Sequence, residues 1–281
     1  MAAVAIMATT GCGAIESAGA KANTKNVAVP ASLSDGVLQV ATDPTYPPFE
    51  YRDSVTNEII GIDPSLARAI GKELGVKVDF KVIGFDTLIP GLDAGRFDVA
   101  MSDVGDSADR RKKVDFVDYA KTLDVLLVPR GSSLVAAESM ADLCGHSIAA
   151  QLGTLEIGWL QAASAKCVSN GKPAISVKVF PGSPAALLAL TTNRVDGFMS
   201  DSVAAAFTMK TSAAAKLTIA KLRYEYGGLL GIAAPKDDVQ LQKALAGALA
   251  KIMANGTYGR LMDKYGLRDL KLDAPRLNQG K

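Results

Sequence analysis

From Val37 onward the hydrophobic positions switch repeatedly between a strand-like and a helix-like period. VLQVAT (37–42), VKVDFKV (76–82), FDVAM (97–101) and LDVLLVP (123–129) read as strands, and Val76, Val78, Phe80 and Val82 alternate cleanly with polar residues. Between the first two strands the sequence marks a helix. Asp63 is expected to cap it, Pro64 sits in its first turn, and Leu66, Ile70 and Leu74 recur at i, i+4 and i+8 before Gly75 ends it. A second helix is expected from about Asp86 to Ala94, shortened or kinked by Pro90. The alternation then restarts with HSIAAQ (146–151), ISVKVF (175–180), a helix near 184–193, VDGFM (195–199), a helix near 202–209, and KLTIAKL (216–222). GLLGIAAP (228–235) precedes a long helix with Leu241, Leu245, Leu249 and Ile252 on one stripe, and TYGRLMDKY closes before Gly266. Alternating elements of this length predict an α/β fold built on parallel sheets with helices on both faces.

The pattern contains an internal echo. LIPGLDAGRFDVAMSD (88–103) aligns without gaps with ALLALTTNRVDGFMSD (186–201), pairing Arg96 with Arg194, Asp98 with Asp196, and Ser102-Asp103 with Ser200-Asp201. Each copy is a helix, a turn, a strand and then Ser-Asp just past the strand's C-terminal end. Ligands of open α/β sheets bind beyond those ends. Two similar lobes with their Ser-Asp corners facing across a cleft are therefore expected, unless both aspartates merely cap the segment that follows.

Before Val37 the pattern is different. AAVAIMA (2–8) is apolar and leads through Thr9, Thr10 and Gly11 into Cys12, like the lipobox of a bacterial lipoprotein whose cysteine carries the lipid. The run is too short to span a bilayer, which takes about 20 residues. It also lacks the usual basic leader, which points to a translation start further upstream. Residues 13–36 are rich in Gly, Ala, Ser, Lys and Asn and read as a flexible tether reaching on the order of 30 Å, enough to hold a globular body close to a membrane's outer face. With Cys12 committed to lipid, Cys144 and Cys167 form an even pair, as an oxidising compartment favours. Two buried free thiols are the alternative.

Composition removes whole function classes. The 31 basic residues nearly balance the 29 acidic ones and aromatics are only 6%, so no basic face for nucleic acid is expected. One histidine, His146, two residues after Cys144, gives neither a credible nucleophile pair nor a zinc site. There is no GxGxxG after a strand and no Walker loop. No metal or cofactor and no catalytic set is expected.

QVATDPTYPPFEY, GIDPSLARAIGKELG, FDTLIPGLDAGRFDVAMSD and DRRKKVDFVDY follow one another in the order and spacing of the amino-acid-binding proteins of bacterial ABC importers, the extracellular solute-binding protein family 3. The likeness continues through DLCGHSIAAQLGT, NRVDGFMSD, GIAAPK and NGTYGRLMDKYGL, covering nearly all of 37–267. The resemblance implies a two-lobed periplasmic-binding-protein type 2 fold, each lobe a mainly parallel sheet flanked by helices, hinged by two crossovers near Val128–Ser132 and Gly227–Ala233. Lobe 1 would comprise 37–129 plus 232–281, and lobe 2 would comprise 130–231. The partners it implies are a small-molecule amino acid or amine, a membrane permease, and the membrane through the lipid anchor, with the receptor a monomer.

The resemblance also assigns ligand-binding roles. Arg110 matches the arginine that pairs with the ligand α-carboxylate, and Asp201 the aspartate that accepts its α-ammonium. Tyr46 and Phe85 match aromatics that sandwich the side chain, and Ser102 and Thr154 match polar contacts. This chain departs from the pattern at Gly105 and Leu155, which lose hydroxyl donors, and at Asp103, where the family residue is usually small. The charges add a second argument. Asp43, Asp103, Glu156 and Asp201 are set against Arg110 alone, so the ligand should bring positive charge, as lysine, arginine, ornithine or a related amine does. Two alternatives use the same cleft: a cyclohexadienyl dehydratase-like enzyme acting on prephenate or arogenate with Glu156 or Asp103 as acid, and a ligand-sensing receptor module.

Overall fold

The computed structural model describes residue 1 and residues 29–211, 215–222 and 227–280. Cys12 and most of the expected tether lie outside the described residues. A short 3-10 turn, Ala31–Leu33, buries Leu33 in the core, so the folded body begins just before Val37.

A single twisted sheet runs through the protein. Parallel strands β1 (Val37–Thr42), β5 (Lys77–Val82) and β6 (Val99–Ala100) form one half. Parallel strands β8 (Ser147–Gln151), β9 (Ser176–Phe180) and β10 (Gly197–Asp201) form the other. The halves are joined by β7 (Val114–Pro129), sixteen residues long. From Val114 to Leu123 it pairs antiparallel with β12 (Gly227–Pro235), which in turn pairs with β6. From Asp124 to Leu127 it pairs instead with β10, and β11 (Leu217–Ile219) joins it at 127–129. A separate small sheet contains β2 (Thr45–Tyr46), β3 (Glu50–Arg52) and β4 (Ile59–Ile60).

Both faces of each half are covered, which explains strands with few polar gaps. In the first lobe Leu38, Val40 and Ile232 point to helices α1 (Ile62–Leu74), α6 (Val239–Ala254) and α7 (Thr257–Tyr265), while Ala41, Phe116 and Ala233 meet α2 (Leu88–Asp93). In the second, Leu126, Ile148 and Met199 pack against α3 (Leu155–Ser169), and Leu127, Ala149 and Phe198 pack against α4 (Ser183–Thr191) and α5 (Ser202–Thr208). Helix α1 buries its expected face, but its N-cap is Gly61 rather than Asp63. Gly61 adopts φ 130° against the Phe49 carbonyl, where a Cβ has no room. This frees Asp63 for a role in the interior.

Cys144, at the end of a 3-10 turn, is disulfide-bonded to Cys167 on α3. The bond fastens α3 to the segment that leads into β8, with Cys167 itself in the core. Closing a loop with a sequence separation of 23 should stabilise the fold by roughly 3 kcal/mol on the chain-entropy model. The Cys144→Ser, Cys167→Ser double variant is expected to lose about that much in equilibrium urea unfolding; an unchanged midpoint would show that the crosslink constrains nothing in the unfolded chain.

Candidate ligand-binding site

A cleft of about 740 Å³ lies between the two halves of the sheet. Of the residues singled out from the sequence, Asp43, Tyr46, Phe85, Ser102, Asp103, Arg110, Thr154 and Glu156 line it. Asp201 does not. It lies just behind the wall, 2% exposed, and caps α5: one carboxylate oxygen accepts the Val203 and Ala204 amides, and the other accepts the Thr122 hydroxyl at 2.6 Å.

The first lobe's wall is held by short local bonds. The Asp43 amide donates to the Ser102 hydroxyl, and the Asp43 carboxylate accepts from Thr45 Oγ1 and the Phe85 amide. The Ser102-Asp103 corner follows β6, and Asp103 takes φ 50°, a left-handed conformation that aspartate tolerates better than most residues. Its amide is anchored by the buried Asp63 carboxylate at 2.7 Å, and the other oxygen of Asp63 accepts the Tyr119 hydroxyl at 2.6 Å. Arg110 spans the cleft. Its Nη1 donates to the Gly105 carbonyl on one side, its Nη2 to the Gly153 carbonyl on the other, and its guanidinium lies 5.5 Å above the Phe85 ring. Tyr46 makes a second link. Its hydroxyl sits 2.8 Å from Ser200 Oγ and accepts the Asp201 amide, while its ring stacks on Phe49. The two Ser-Asp corners thus flank one cleft, though only Asp103 opens into it.

Several lining residues were not anticipated. Asp124 lies on β7 where that strand exchanges β12 for β10, and its carboxyl shares a hydrogen bond with Glu156 on α3. Glu50, Thr122, Gln151 and Trp159 also line the cleft. An acid inside the apolar run LDVLLVP was the one signal for Asp124, and it is uninformative until the strand's partners are known. His146 lies outside the cleft, beside Asp196.

The electrostatics are one-sided. Two lining carboxylates are neutralised locally, Asp106 by Arg111 and Asp109 by Lys112. That leaves Asp43, Glu50, Asp103, Asp124 and Glu156, with Arg110 as the one cation among the lining residues. Burial is the main cause that raises the pKa of all five, and those of Glu50, Asp103 and Asp124 lie well above the carboxylate range. Asp103 is raised further by Asp201 and Asp63, and one of its oxygens has no hydrogen-bond partner. Burial also pulls Arg110 downward, opposed by Glu156 and Asp103, but a guanidinium stays charged at physiological pH. Among the described residues no cluster of His, Cys, Asp and Glu could hold a metal ion.

Two outcomes follow from this geometry. Burial pushes Asp63 and Asp201 up to about 6 and Asp118, on β7, up to about 7. A carboxyl raised in the folded state binds its proton more tightly there than in the unfolded chain, so its contribution to stability is present at low pH and is lost as pH rises through 6 to 7. The ligand-free protein should therefore melt higher near about pH 5 than near about pH 8, and Asp118→Asn should flatten the upper part of that slope. A melting temperature that climbs over this range would contradict the assignment. Gly153, at φ 85°, meets Asp86 of the opposite lobe so closely that an added Cβ would lie 2.6 Å from the Asp86 Cα. Gly153→Ala should hold the lobes apart, enlarging the radius of gyration in solution scattering and weakening ligand binding.

Comparison with known proteins agrees with this architecture. Residues 38–268 match the model of the bacterial extracellular solute-binding proteins, family 3. An arginine-binding protein of Corynebacterium glutamicum is 28% identical, over 89% of this chain and 81% of its own length. An L-cystine-binding protein of Bacillus subtilis is 33% identical over 77% of each chain. The solved structure of an amino acid ABC transporter substrate-binding protein from Streptococcus pneumoniae, bound to L-arginine, matches with a TM-score of 0.73 at 26% identity, covering 85% of this chain and 98% of that one. These relatives are binding proteins. With two lobes around one cleft and a family match spanning most of its length, this chain belongs to the bacterial extracellular solute-binding proteins of family 3, with the type 2 periplasmic-binding-protein fold.

Proposed function

We propose that the protein captures a cationic amino acid, in the class of arginine, lysine and ornithine, outside the cytoplasm and delivers it unchanged to an ABC permease. The observation that carries this is the acid surplus of the cleft: besides the paired Asp106 and Asp109, five carboxyl groups line it with a single arginine. Arg110 offers a two-pronged donor to one carboxylate, which suits an amino-acid head. The surplus acids favour a ligand with more positive than negative charge, because each buried carboxyl must otherwise keep its proton. The arginine-binding relatives are consistent with this choice.

In this reading Asp201 acts on the ligand ammonium through the wall it stabilises, and Asp43, Asp103, Asp124 and Glu156 hold the cationic groups. The hinge then lies in β7 and β12 at the partner exchange between Leu123 and Asp124, so residues 124–129, expected in lobe 1, go with lobe 2, and 227–231, expected in lobe 2, go with lobe 1. Closure brings Tyr46 to Ser200 and Arg110 to Gly153, the contacts present in this structure. Among the described residues no helix is long and apolar enough to cross a membrane. Lipid on Cys12 and a tether that, with Leu33 in the core, ends before Pro30 rather than at 36 would keep the monomeric receptor beside its permease.

Isothermal titration tests the reading directly. Arginine, lysine or ornithine should bind, glutamate should not, and Arg110→Ala should weaken binding by about tenfold or more, the loss of one to two charge-assisted hydrogen bonds. Because the cation must ionise carboxyls that hold protons, binding should release protons and tighten as pH rises. Preferential binding of an acidic amino acid would overturn the proposal. One observation favours a second reading. Glu156 lines the cleft and burial raises its carboxyl, which suits a general acid acting on a dehydratase substrate, and release of phenylpyruvate from prephenate would reveal it.

A further inference from the structure

The carboxylate-binding arginine sits on a loop that the far end of the chain holds in place. Residues Gly105 to Arg110 form one wall of the cleft, and Arg111 turns away from it. Strand β13 (Lys271–Leu277) runs antiparallel along β7, and the residues after it continue across the outer side of this loop. Asn278 copies a strand pairing with its side chain: its Oδ1 accepts the Phe116 amide at 2.8 Å, its Nδ2 donates to Asp115, and its own amide donates to the Phe116 carbonyl. The Gln279 amide donates to Asp118. Gly280 then closes the circuit, because its amide donates to Asp106 Oδ2 at 2.6 Å while its carbonyl accepts Arg111 Nη1 at 2.9 Å. Arg111 Nη1 also bridges to Asp106 Oδ1 at 2.6 Å. Asp106 has a fully buried side chain and belongs to the cleft wall, so the ring Asp106–Arg111–Gly280 brackets Arg110 from behind. Glycine is required at 280, since a Cβ there would collide with the Asp106 carbonyl oxygen.

We propose that the segment Asn278–Gly280 is a strap whose function is to position Arg110: by clamping Asp106 and Arg111 it holds the 105–111 loop in the geometry that presents the guanidinium to a ligand carboxylate. Asp106, Arg111 and Gly280 are positioning residues in this scheme and need not touch the ligand. The strap acts on one end of the ligand only. Of the four carboxylates assigned to its cationic groups, Asp103 adjoins the loop, and Asp43, Asp124 and Glu156 sit on or beside other elements.

The test uses the full chain with Gly280→Val, and a second variant ending at Leu277, which keeps β13. Backbone hydrogen exchange of the ligand-free protein should become severalfold faster at Asp106 and Arg111, whose amides bond to Leu229 and Ser107, and stay unchanged in α1 and α6. Titration with arginine and with agmatine, its decarboxylated amine, reads the positioning role. Arginine affinity should fall by about tenfold, the value of one charge-assisted hydrogen bond, and agmatine affinity should hold. Unchanged exchange at the loop would overturn the strap. Faster exchange with equal losses for both ligands would overturn its positioning role, since a general loss of stability weakens both. The titration arm rests on the cationic amino-acid reading. If the unmodified protein bound neither ligand, that reading would fail by itself, and the exchange arm would still decide whether the strap holds the loop.

Discussion

A carboxylate taken out of water must find donors, a cation or a proton, and this protein takes many of them out of water around a single cleft. The solutions divide them into two groups. Asp63 and Asp201 are surrounded by donors, a tyrosine or threonine hydroxyl and backbone amides, and so become parts of the scaffold. Asp63 ties α1 to the Asp103 corner and to β7, and Asp201 ties β10 and α5 to β7. Asp103, Asp124 and Glu156 are left facing one another and the cleft, with Arg110 the one cation among the lining residues. The first group shapes the site and the second sets what the site attracts.

Strand β7 links those two roles. Among the described residues it is the one strand that pairs extensively with both halves of the sheet, and it exchanges partners between Leu123 and Asp124. Thr122, just before the exchange, holds Asp201, and Asp124, just after it, meets Glu156. A change in the angle between the lobes would therefore move the groups that line the cleft, which is how the proposed hinged closure would share one free energy with binding. The outer edge of the same strand carries β13 and the Asn278–Gly280 segment, so its two ends serve different purposes. One end passes from the first half of the sheet to the second, and the other is tied through the Asn278–Gly280 segment to the loop bearing Arg110.

The two Ser-Asp corners show how far local similarity reaches. Ser102-Asp103 follows β6 and Ser200-Asp201 forms the last two residues of β10, and the two aspartates interact electrostatically. Asp103 is followed by a loop, adopts a left-handed backbone and exposes its carboxyl to the cleft. Asp201 is followed by a helix whose first amides claim its carboxylate. The following residues, Val104-Gly105 in one copy and Ser202-Val203 in the other, decide between the two outcomes. A repeat in sequence thus became a pair of positions with unlike chemistry.

By itself the sequence determined the elements whose signals are local. Strand β1 begins and ends where its apolar run does, α1 buries Leu66, Ile70 and Leu74, and the family likeness and the charge pattern together single out eight residues that line the cleft. Where neighbours on both sides are buried the period blurs. The first half of β7, with its apolar doublets Phe116-Val117 and Tyr119-Ala120, carries no clean strand period, and small residues and Gly158 dilute the apolar stripe of α3. The N-cap of α1 fell to Gly61 because the Phe49 carbonyl, remote in sequence, leaves no room for a side chain. Only the tertiary structure decided which acids face a ligand and which hold the walls, since that depends on donors such as Thr122, 79 residues from Asp201, and Tyr119, 56 from Asp63. A residue type announces a charge, but its neighbours across the fold determine whether that charge is already satisfied.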